Sequence, residues 1–282
     1  MLRIHEITSL DLPELEPYRT LRRAAEHAAR GIFVAEGDKV VRRLLASDFG
    51  VLSVLLPQTR VAEFEPLLRA RPELEIPVFA VTQKSVLEEL VGFEMFQGVL
   101  AIGRIPTVLT LENILGDQHR PRLLAAVDGL TSAENIGLLV RNCAAFGAQA
   151  LIVGETSSSP FLRRAVRNSM GAIFQLPVVE LKPEARAART RNLPAALREL
   201  RARGIRCLAA HPHTGQKFLS QADFTGDCCL VFGSEGSGLS PEVLAACDEA
   251  VAVPMANGVD SLNVGAAAAV FLYEAARQRG RT

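Results

Sequence analysis

Segments typical of strands and segments typical of helices alternate along almost the whole of this 282-residue chain. Apolar runs typical of buried strands recur at 33–37, 51–57, 77–81 and 98–105, with helical spacing of apolar residues between them. Strands that alternate with helices predict an α/β layer architecture.

The alternation stops once and then begins again. Residues 106–120 combine proline, glycine and mixed charge, which predicts a linker at 107–120. Beyond it, strands are expected at 123–128, 148–154, 176–181, 205–211, 228–233 and 250–254. We therefore expect a smaller α/β domain at 1–106 and a larger one at 121–282.

Composition excludes several classes of protein. Apolar residues make up 49% of the chain and charged residues 22%, a balance that buries a sizeable core. No apolar run approaches the roughly 20 residues of a membrane span, and residues 1–19 lack the apolar segment of a secretion signal. The five cysteines have neither C-x-x-C nor zinc spacing. We expect buried free thiols, a cytoplasmic location, no membrane segment and no metal site.

The formal net charge is zero, but it is unevenly distributed. Residues 160–206 contain eleven basic residues against three acidic ones. A local basic excess favours a polyanion such as nucleic acid, whereas an arginine-rich helix face in solvent gives the same pattern. Charge alone leaves both interpretations open.

Three polar, glycine-containing loops follow expected strands of the second half, at 128–142, 233–240 and 254–263. Open α/β sheets bind ligands at the carboxyl ends of their strands, so these loops are candidates for a binding site. Helix capping by Asn135 or Ser261 is the structural alternative.

Arg141 is harder to explain structurally, because a guanidinium within an apolar helix needs an acidic partner or an anionic ligand.

Familiar nucleotide-binding and catalytic motifs are absent from this sequence. The third glycine of G-x-G-x-x-G would fall at Pro241, and neither a P-loop nor a G-x-S-x-G motif occurs. Glu235 lies in the middle of the 233–240 loop, where its carboxylate would repel a phosphate. His211 and His213, in the sequence HPH, are interpreted as part of a surface turn.

The three loops together carry a family resemblance. They contain N-x-G-x-x-x-R from Asn135 to Arg141, then LVFGSEGSGLSPEVLAACDEAVAVPM, then SLNVGAAAAVFLYEA. This set resembles the SpoU/TrmH-type RNA 2′-O-ribose methyltransferases of the SPOUT superfamily. RRAVRNSMGAIFQLPVV at 163–179 is similar to the same family, and FVAEGDKVVRRLL and EMFQGVLAI resemble its small RNA-binding domain. The resemblance runs from about residue 19 to the end of the sequence.

The resemblance implies a fold, a cofactor and partners. It implies a small N-terminal α/β domain of the ribosomal protein L30e type, followed by a SPOUT α/β domain with a C-terminal trefoil knot. The implied cofactor is S-adenosylmethionine, whose sulfonium cation tolerates a carboxylate such as that of Glu235. The implied partners are RNA and a second copy of the chain, with the active site near the interface of the homodimer.

It also implies roles for site residues. Gly233, Val253 and Leu262 are expected to contact the cofactor, with Pro254 and Met255 flanking its adenine. Arg141 is expected to act on the ribose 2′-OH, either as a base or, at lower physical cost, as a phosphate clamp that positions the hydroxyl. The residues expected to orient Arg141, the ribose and the loop are Asn135, Glu235, Ser261 and Asn263.

The match to the family pattern is not complete. Ala133, Asn142 and Cys143 stand where the family usually has Pro, then Ser or Thr, then Ala.

The leading hypothesis is an S-adenosylmethionine-dependent methyltransferase that acts on a ribose 2′-OH of structured ribosomal or transfer RNA. One alternative is an RNA-binding protein with the knotted fold and no catalysis. Another is an α/β enzyme with a different nucleotide ligand, which the failed motifs disfavour.

Overall fold

The computed structural model describes residues 3–71, 73, 75–83, 86–87, 90, 98–107, 109–116, 120–181, 192–212 and 217–281. Its contacts divide the chain into two compact units. The first unit comprises Met1–Thr107 together with Phe161–Gln175, and the second comprises Val108–Pro160 together with Leu176–Thr282. The segment Phe161–Gln175 thus packs with the first unit, although it lies within the range expected for the second domain.

The first unit is built on one mixed sheet. Its strands are β1 (Arg3–Ile7), β2 (Ile32–Glu36), β3 (Val51–Pro57), β4 (Pro77–Val81) and β5 (Leu100–Arg104). The strand order is β1-β4-β3-β5-β2, with the β1, β4 and β3 pairs parallel and β5 antiparallel to both neighbours. Its helices are α1 (Glu16–Arg19), α2 (Ala24–Ala29), α3 (Asp38–Leu45), α4 (Val61–Arg69) and, from the later segment, α6 (Arg163–Asn168).

Four phenylalanines form an aromatic cluster in the first unit. The Phe33 ring lies 5.8 Å from that of Phe161 and 5.7 Å from that of Phe174, and Phe49 contacts Phe174 at 5.3 Å between centroids. On the adjacent strand Gly103 pairs with Phe33, and an added Cβ at 103 would come within 2.3 Å of the Phe33 ring. A glycine is therefore required there because the ring occupies the space of a side chain.

The second unit is built on a six-stranded parallel sheet. Its strands are β6 (Leu123–Val127), β7 (Ala150–Val153), β8 (Val178–Glu180), β9 (Arg206–Ala210), β10 (Cys228–Phe232) and β11 (Glu249–Val251). The strand order is β11-β9-β10-β6-β7-β8, and every pair is parallel. Strand β6 and strand β10 are buried throughout, as expected for a parallel sheet covered on both faces.

Helices cover this sheet. They are α5 (Leu111–Leu115), α7 (Ala133–Ala145), α8 (Leu193–Ala202), α9 (Pro241–Ala246) and α10 (Val264–Gln278). Helix α6 of the first unit lies between α7 and α8 along the chain. Helix α5 lies in the segment expected to be a linker, and its Leu111 and Leu115 belong to the hydrophobic core of the second unit. Two apolar side chains on a single turn were too weak a signal to predict it.

The expected α/β class is confirmed, and each predicted strand is present to within a few residues. Strand β1 and helices α1 and α2 were not predicted. Residues 85–92, SVLEELVG, have the helical spacing expected between two of the strands, and they fall mostly outside the described residues. None of the helices in the described part of the chain combines the length and the apolar character needed to cross a bilayer.

Candidate active site

A cavity of about 510 Å³ opens in the second unit at the carboxyl ends of β9, β10 and β11. This is the edge of a parallel sheet at which ligands bind in open α/β folds. The loop after β10 supplies one wall, and α10 supplies apolar side chains. The lining residues are Ala210, His211, Pro212, Phe232–Gly238, Val251, Val253, Met255, Asp260–Leu262, Val264, Ala267 and Phe271.

The loop that follows β10 is closed by its own backbone. Ser234 and Gly238 exchange two main-chain hydrogen bonds, of 2.9 and 3.0 Å between nitrogen and oxygen. An added Cβ at Gly233 would lie 2.2 Å from the carbonyl carbon of Gly238, whereas one at Gly236 would meet no atom within 4 Å. Glycine at 233 is therefore required by the closed loop itself.

Three polar side chains from the three predicted loops meet at the surface of the second unit. Asn135 donates a hydrogen bond from Nδ2 to Oε1 of Glu235. Asn263 Nδ2 lies 3.2 Å from both Glu235 Oε1 and Asn135 Oδ1. Two amides thus orient one carboxylate, and we call these residues the amide–carboxylate group.

The helix ends explain how this group is positioned. Ser132, and not Asn135, caps α7, because its hydroxyl accepts a hydrogen bond from the Asn135 main-chain nitrogen. Asn263, and not Ser261, caps α10 by accepting from the Gly265 main-chain nitrogen at 2.9 Å. The capping interpretations made from sequence therefore had the wrong residues, and the Asn135 side chain is free to contact Glu235.

Arg141 lies apart from the cavity on an exposed position of α7. No described residue forms an ion pair or a hydrogen bond with its side chain. The buried acidic partner that would make this arginine structural is thus absent from the described part of the chain. Its neighbour Asn142 donates a 2.7 Å hydrogen bond to the carbonyl of Gly265 and so joins α7 to the start of α10.

The remaining predicted site residues divide into two groups. Val253, Met255, Ser261 and Leu262 line the cavity together with Gly233 and Glu235, whereas Pro254 is exposed and does not line it.

Sequence reasoning missed other lining residues. His211 lines the cavity, which the interpretation of HPH as a surface turn did not foresee, and His213 lies outside the described residues. Asp260 adds a second carboxylate. His211 is the last residue of an expected strand, and this place at the carboxyl end of a strand was the available signal.

The cysteines are not candidates for nucleophilic catalysis at this site. Burial raises the pKa of the Cys143 thiol, two residues beyond Arg141, to about 12. Burial likewise raises the pKa of Cys228 to about 11 and that of Cys247 to about 12. These thiols stay protonated near neutral pH, and nucleophilic catalysis needs the thiolate. Within the described ranges no group of three or more His, Cys, Asp or Glu side chains is arranged to hold a metal ion.

Much of the basic stretch is neutralised by ion pairs. In the first unit, Arg163 and Arg167 contact the buried carboxylate of Glu36 at 2.7 and 2.9 Å. In the second unit, Arg201 pairs with Asp248 at 2.6 Å. Lys182, Arg186, Arg189 and Arg191 lie outside the described residues. The described arginines of this stretch are thus divided between the two units.

Known proteins resemble this chain over most of its length. An uncharacterised tRNA/rRNA methyltransferase of Mycobacterium tuberculosis is 34% identical, with 98% of this chain and 93% of that protein covered. The 23S rRNA (guanosine-2′-O-)-methyltransferase RlmB of Ralstonia nicotianae is 34% identical over 68% of this chain and 74% of its own.

Solved structures resemble it as well. An AdoMet-bound rRNA methyltransferase of Sinorhizobium meliloti has a TM-score of 0.80 at 25% identity and covers 97% of this chain and 98% of its own. The SpoU methyltransferase AviRb of Streptomyces viridochromogenes in complex with AdoMet has a TM-score of 0.77 at 27% identity, covering 95% and 98%.

The model of the SpoU rRNA methylase family matches residues 122–273, which include the cavity and the amide–carboxylate group. The resemblance stated from the three loops is thereby confirmed, and the chain belongs to the SpoU rRNA methylase family.

Proposed function

We propose that this protein transfers a methyl group from S-adenosylmethionine to a ribose 2′-OH of structured RNA. The observation that carries the proposal is the convergence of three loops, the first and last of which contribute residues 128 positions apart, on one cavity edge. They bring together a glycine loop, a carboxylate and two amides in a chain of the SpoU rRNA methylase family.

The cavity fits this cofactor. Its volume of about 510 Å³ falls within the range of roughly 300–1,000 Å³ for small-molecule sites. Apolar side chains of Val253, Met255 and Leu262 suit an adenine ring, and the carboxylates of Glu235 and Asp260 suit a cation. The cofactor supplies an electrophilic methyl group when it is bound. Gly233–Gly238 would hold it with main-chain groups, and Pro254 would flank the adenine.

The polar residues of the chain would prepare the acceptor hydroxyl. Asn135 and Asn263 hold the Glu235 carboxylate in one orientation, and Ser261 lines the same cavity as Glu235. The exposed guanidinium of Arg141 binds a phosphate bidentately and brings the adjacent 2′-OH into place. A protonated guanidinium cannot accept the hydroxyl proton, so positioning is the role we assign to Arg141.

Methyl transfer to RNA tests the proposal. The protein is incubated with total RNA and isotopically labelled S-adenosylmethionine, and the RNA is digested to nucleosides for mass spectrometry. We expect label in 2′-O-methylated nucleosides. Label in the bases would contradict the proposed acceptor. Cofactor binding and RNA binding without transfer would instead support the alternative of a noncatalytic RNA-binding protein.

We infer that the first unit contributes RNA binding and that residues 1–106, 107–120 and 121–282 act as substrate domain, connection and methyltransferase domain. Arg19 and Arg22 support this role, because both are exposed and neither contacts an acidic residue within the described chain. We place the protein in the cytoplasm, where its RNA substrates are found and free thiols stay reduced. The trefoil knot implied by the resemblance stays a prediction.

We further infer a homodimer formed through helices α7 and α10. Leu138 on α7 and Val270 and Tyr273 on α10 are exposed apolar side chains on these two packed helices, and Tyr273 is 49% exposed. Arg141 lies one helical turn from Leu138 and does not line the cavity of its own chain. A second copy that covers these side chains would bring Arg141 towards the site of its partner.

Sedimentation at a series of concentrations tests the dimer. Tyr273→Glu places a charge on the apolar face, so we expect a shift towards monomer and a loss of methyl transfer, with cofactor affinity retained. Mixing Arg141→Ala with Glu235→Ala chains distinguishes a shared site, since restored activity requires residues from two copies. A wild-type monomer at micromolar concentration would contradict the inference.

A further inference from the structure

Asp128 is a buried carboxylate that bridges the two ends of the glycine loop. It lies directly after β6 and is 9% exposed. Its main-chain nitrogen donates a 2.9 Å hydrogen bond to the carbonyl of Phe232, the residue before the loop. Its Oδ2 accepts a 2.8 Å hydrogen bond from the main-chain nitrogen of Ser240, the residue after Leu239. One residue thus joins the beginning and the end of Gly233–Leu239.

The end of the loop has few other anchors. Ser240 is the N-cap of α9, but its side chain makes no capping hydrogen bond. The two bonds between Ser234 and Gly238 close the loop on itself, and at its exit the Leu239 side chain is buried in the hydrophobic core. A hydrogen bond to a carboxylate is roughly twice as strong as one between neutral groups, so the bond from Ser240 is a strong polar constraint at this end.

We propose that Asp128 is a positioning residue for the cofactor, acting through the glycine loop. Asp128 does not line the cavity, whereas Phe232–Gly238 form one of its walls. By fixing the distance between the loop ends, the carboxylate holds that wall in the shape that receives a ligand before the ligand arrives. This inference rests on the proposed cofactor site.

The chain offers a matched control at the opposite edge of the same sheet. Asp227 precedes β10, and its Oδ1 accepts a 2.8 Å hydrogen bond from the main-chain nitrogen of Arg122, which precedes β6. Because all strands of this sheet are parallel, Asp227 lies at the amino ends of the strands and the cavity lies at their carboxyl ends. Both aspartates therefore make the same kind of bond, but only Asp128 holds the loop.

The test compares Asp128→Ala, Asp128→Asn and Asp227→Ala by calorimetric titration with S-adenosylmethionine and by thermal melting. We expect Asp128→Ala to weaken cofactor binding about tenfold or more, the effect of losing a charge-assisted hydrogen bond. Asparagine keeps a carbonyl oxygen as acceptor and should restore most of the affinity. Asp227→Ala should lower the melting temperature with no change in the affinity of the folded protein.

Hydrogen exchange of the protein without cofactor provides a second readout. The Ser240 amide should exchange faster in Asp128→Ala than in wild type, and it should not change in Asp227→Ala. Unchanged affinity and unchanged exchange in Asp128→Ala would overturn the proposal, as would equal losses of affinity in the Asn and Ala variants. If the wild type fails to bind the cofactor, the proposed function fails, while the exchange experiment still tests the bridge.

Discussion

At the scale of single residues, the structure explains the arginine at 141 and the glycine at 233 in different ways. Arg141 has no acidic partner among the described residues and is exposed, so its charge is available to a ligand. Gly233 was expected to be glycine because a cofactor passes close to it. The structure gives another reason, since a Cβ there would overlap the backbone of Gly238. Gly233→Val therefore disrupts the loop itself and does not isolate ligand contact.

Removing the Arg141 side chain should separate chemistry from stability. We expect Arg141→Ala to keep the melting temperature and the cofactor affinity of wild type, because no described residue bonds to this side chain. Single-turnover methyl transfer should fall about two orders of magnitude, since the phosphate is no longer positioned. Arg141→Lys should rescue little because it lacks the planar fork. Arg198→Ala, an exposed arginine of α8, is the control, and an Arg141→Ala rate equal to wild type would remove Arg141 from the chemistry.

Gly236 provides a cleaner test of the cavity than Gly233. Gly236 lines the cavity, and an added Cβ meets no atom within 4 Å, so Gly236→Val should fold normally while filling space that a ligand needs. We expect calorimetry to show cofactor affinity reduced by at least about tenfold. Gly226→Val is the matched control, because Gly226 is equally uncrowded and does not line the cavity. Equal affinities in the two variants would refute this assignment of the loop.

At the scale of elements, the sequence predicted buried strands well and short helices poorly. Strands β3 and β4 were predicted at their observed bounds, because continuous apolar runs flanked by proline and polar residues leave little choice. Helix α5 was predicted as linker, since its helical character comes from the Thr110 capping box and not from periodicity. The three polar loops were predicted correctly as parts of one site. Their side-chain contacts depend on which residue caps each helix, and the sequence alone did not identify the capping residues.

The aromatic cluster of the first unit should make Gly103 intolerant of substitution. In Gly103→Ala the new Cβ would lie 2.3 Å from a Phe33 ring that Phe49 and Phe174 hold in place. We expect a loss of about 1–3 kcal/mol in the free energy of unfolding measured with urea, as for other overpacked cores. Gly50→Ala is the control, because its Cβ makes only an ordinary contact at 3.5 Å. Gly103→Ala as stable as Gly50→Ala would contradict the crowding.

The pair of Arg71 and Glu73, which follows α4, should make the stability of the fold depend on pH. Hydrogen bonds from the Arg71 guanidinium, opposed by burial and aided by the Val51 main-chain nitrogen, lower the pKa of Glu73 from 4.5 to about 2. The Glu73 carboxyl thus binds a proton less readily in the folded state than in the unfolded state. The stabilisation is complete above pH 4.5 and is lost as the pH falls towards 2.

Urea unfolding of wild type and Glu73→Gln at several pH values measures this contribution. We expect wild type to be the more stable at pH 7, with the difference shrinking below pH 4.5. Glu65→Gln, which removes the partner of Arg69 on the exposed face of α4, corrects for general charge effects. A difference between wild type and Glu73→Gln that stays constant with pH would rule out this linkage.

At the scale of the whole molecule, the order of segments along the chain does not match their grouping in space. Residues 161–175 belong by sequence to the second series of strands and helices, but Phe161 and Phe174 pack on Phe33 of the first unit. Periodicity describes each segment by itself and does not specify which core a phenylalanine joins. The basic excess at 160–206 is divided by the same grouping, since Arg163 and Arg167 belong to the first unit, where they share the single carboxylate of Glu36.

RNA binding should therefore be probed at arginines that are free of ion pairs. Removing one arginine that binds a phosphate lowers the slope of log affinity against log salt concentration by about one. We expect Arg19→Gln and Arg22→Gln in the first unit to weaken RNA binding and flatten that slope. Arg69→Gln is the control, because Glu65 already neutralises this arginine. Slopes identical to wild type in both variants would show that this surface does not contact RNA.

The strand order of the second unit has a consequence for synthesis of the chain. Strand β6 pairs with β7, which follows soon after it, and with β10, in which Cys228 lies opposite Leu123. At about 5–20 residues per second, translation takes roughly 5–20 s to add the residues that separate these partners. During that interval the nascent polypeptide presents an apolar strand with one unpaired edge, which is a template for aggregation. A chaperone that covers such edges near the ribosome should accordingly raise the yield of this protein.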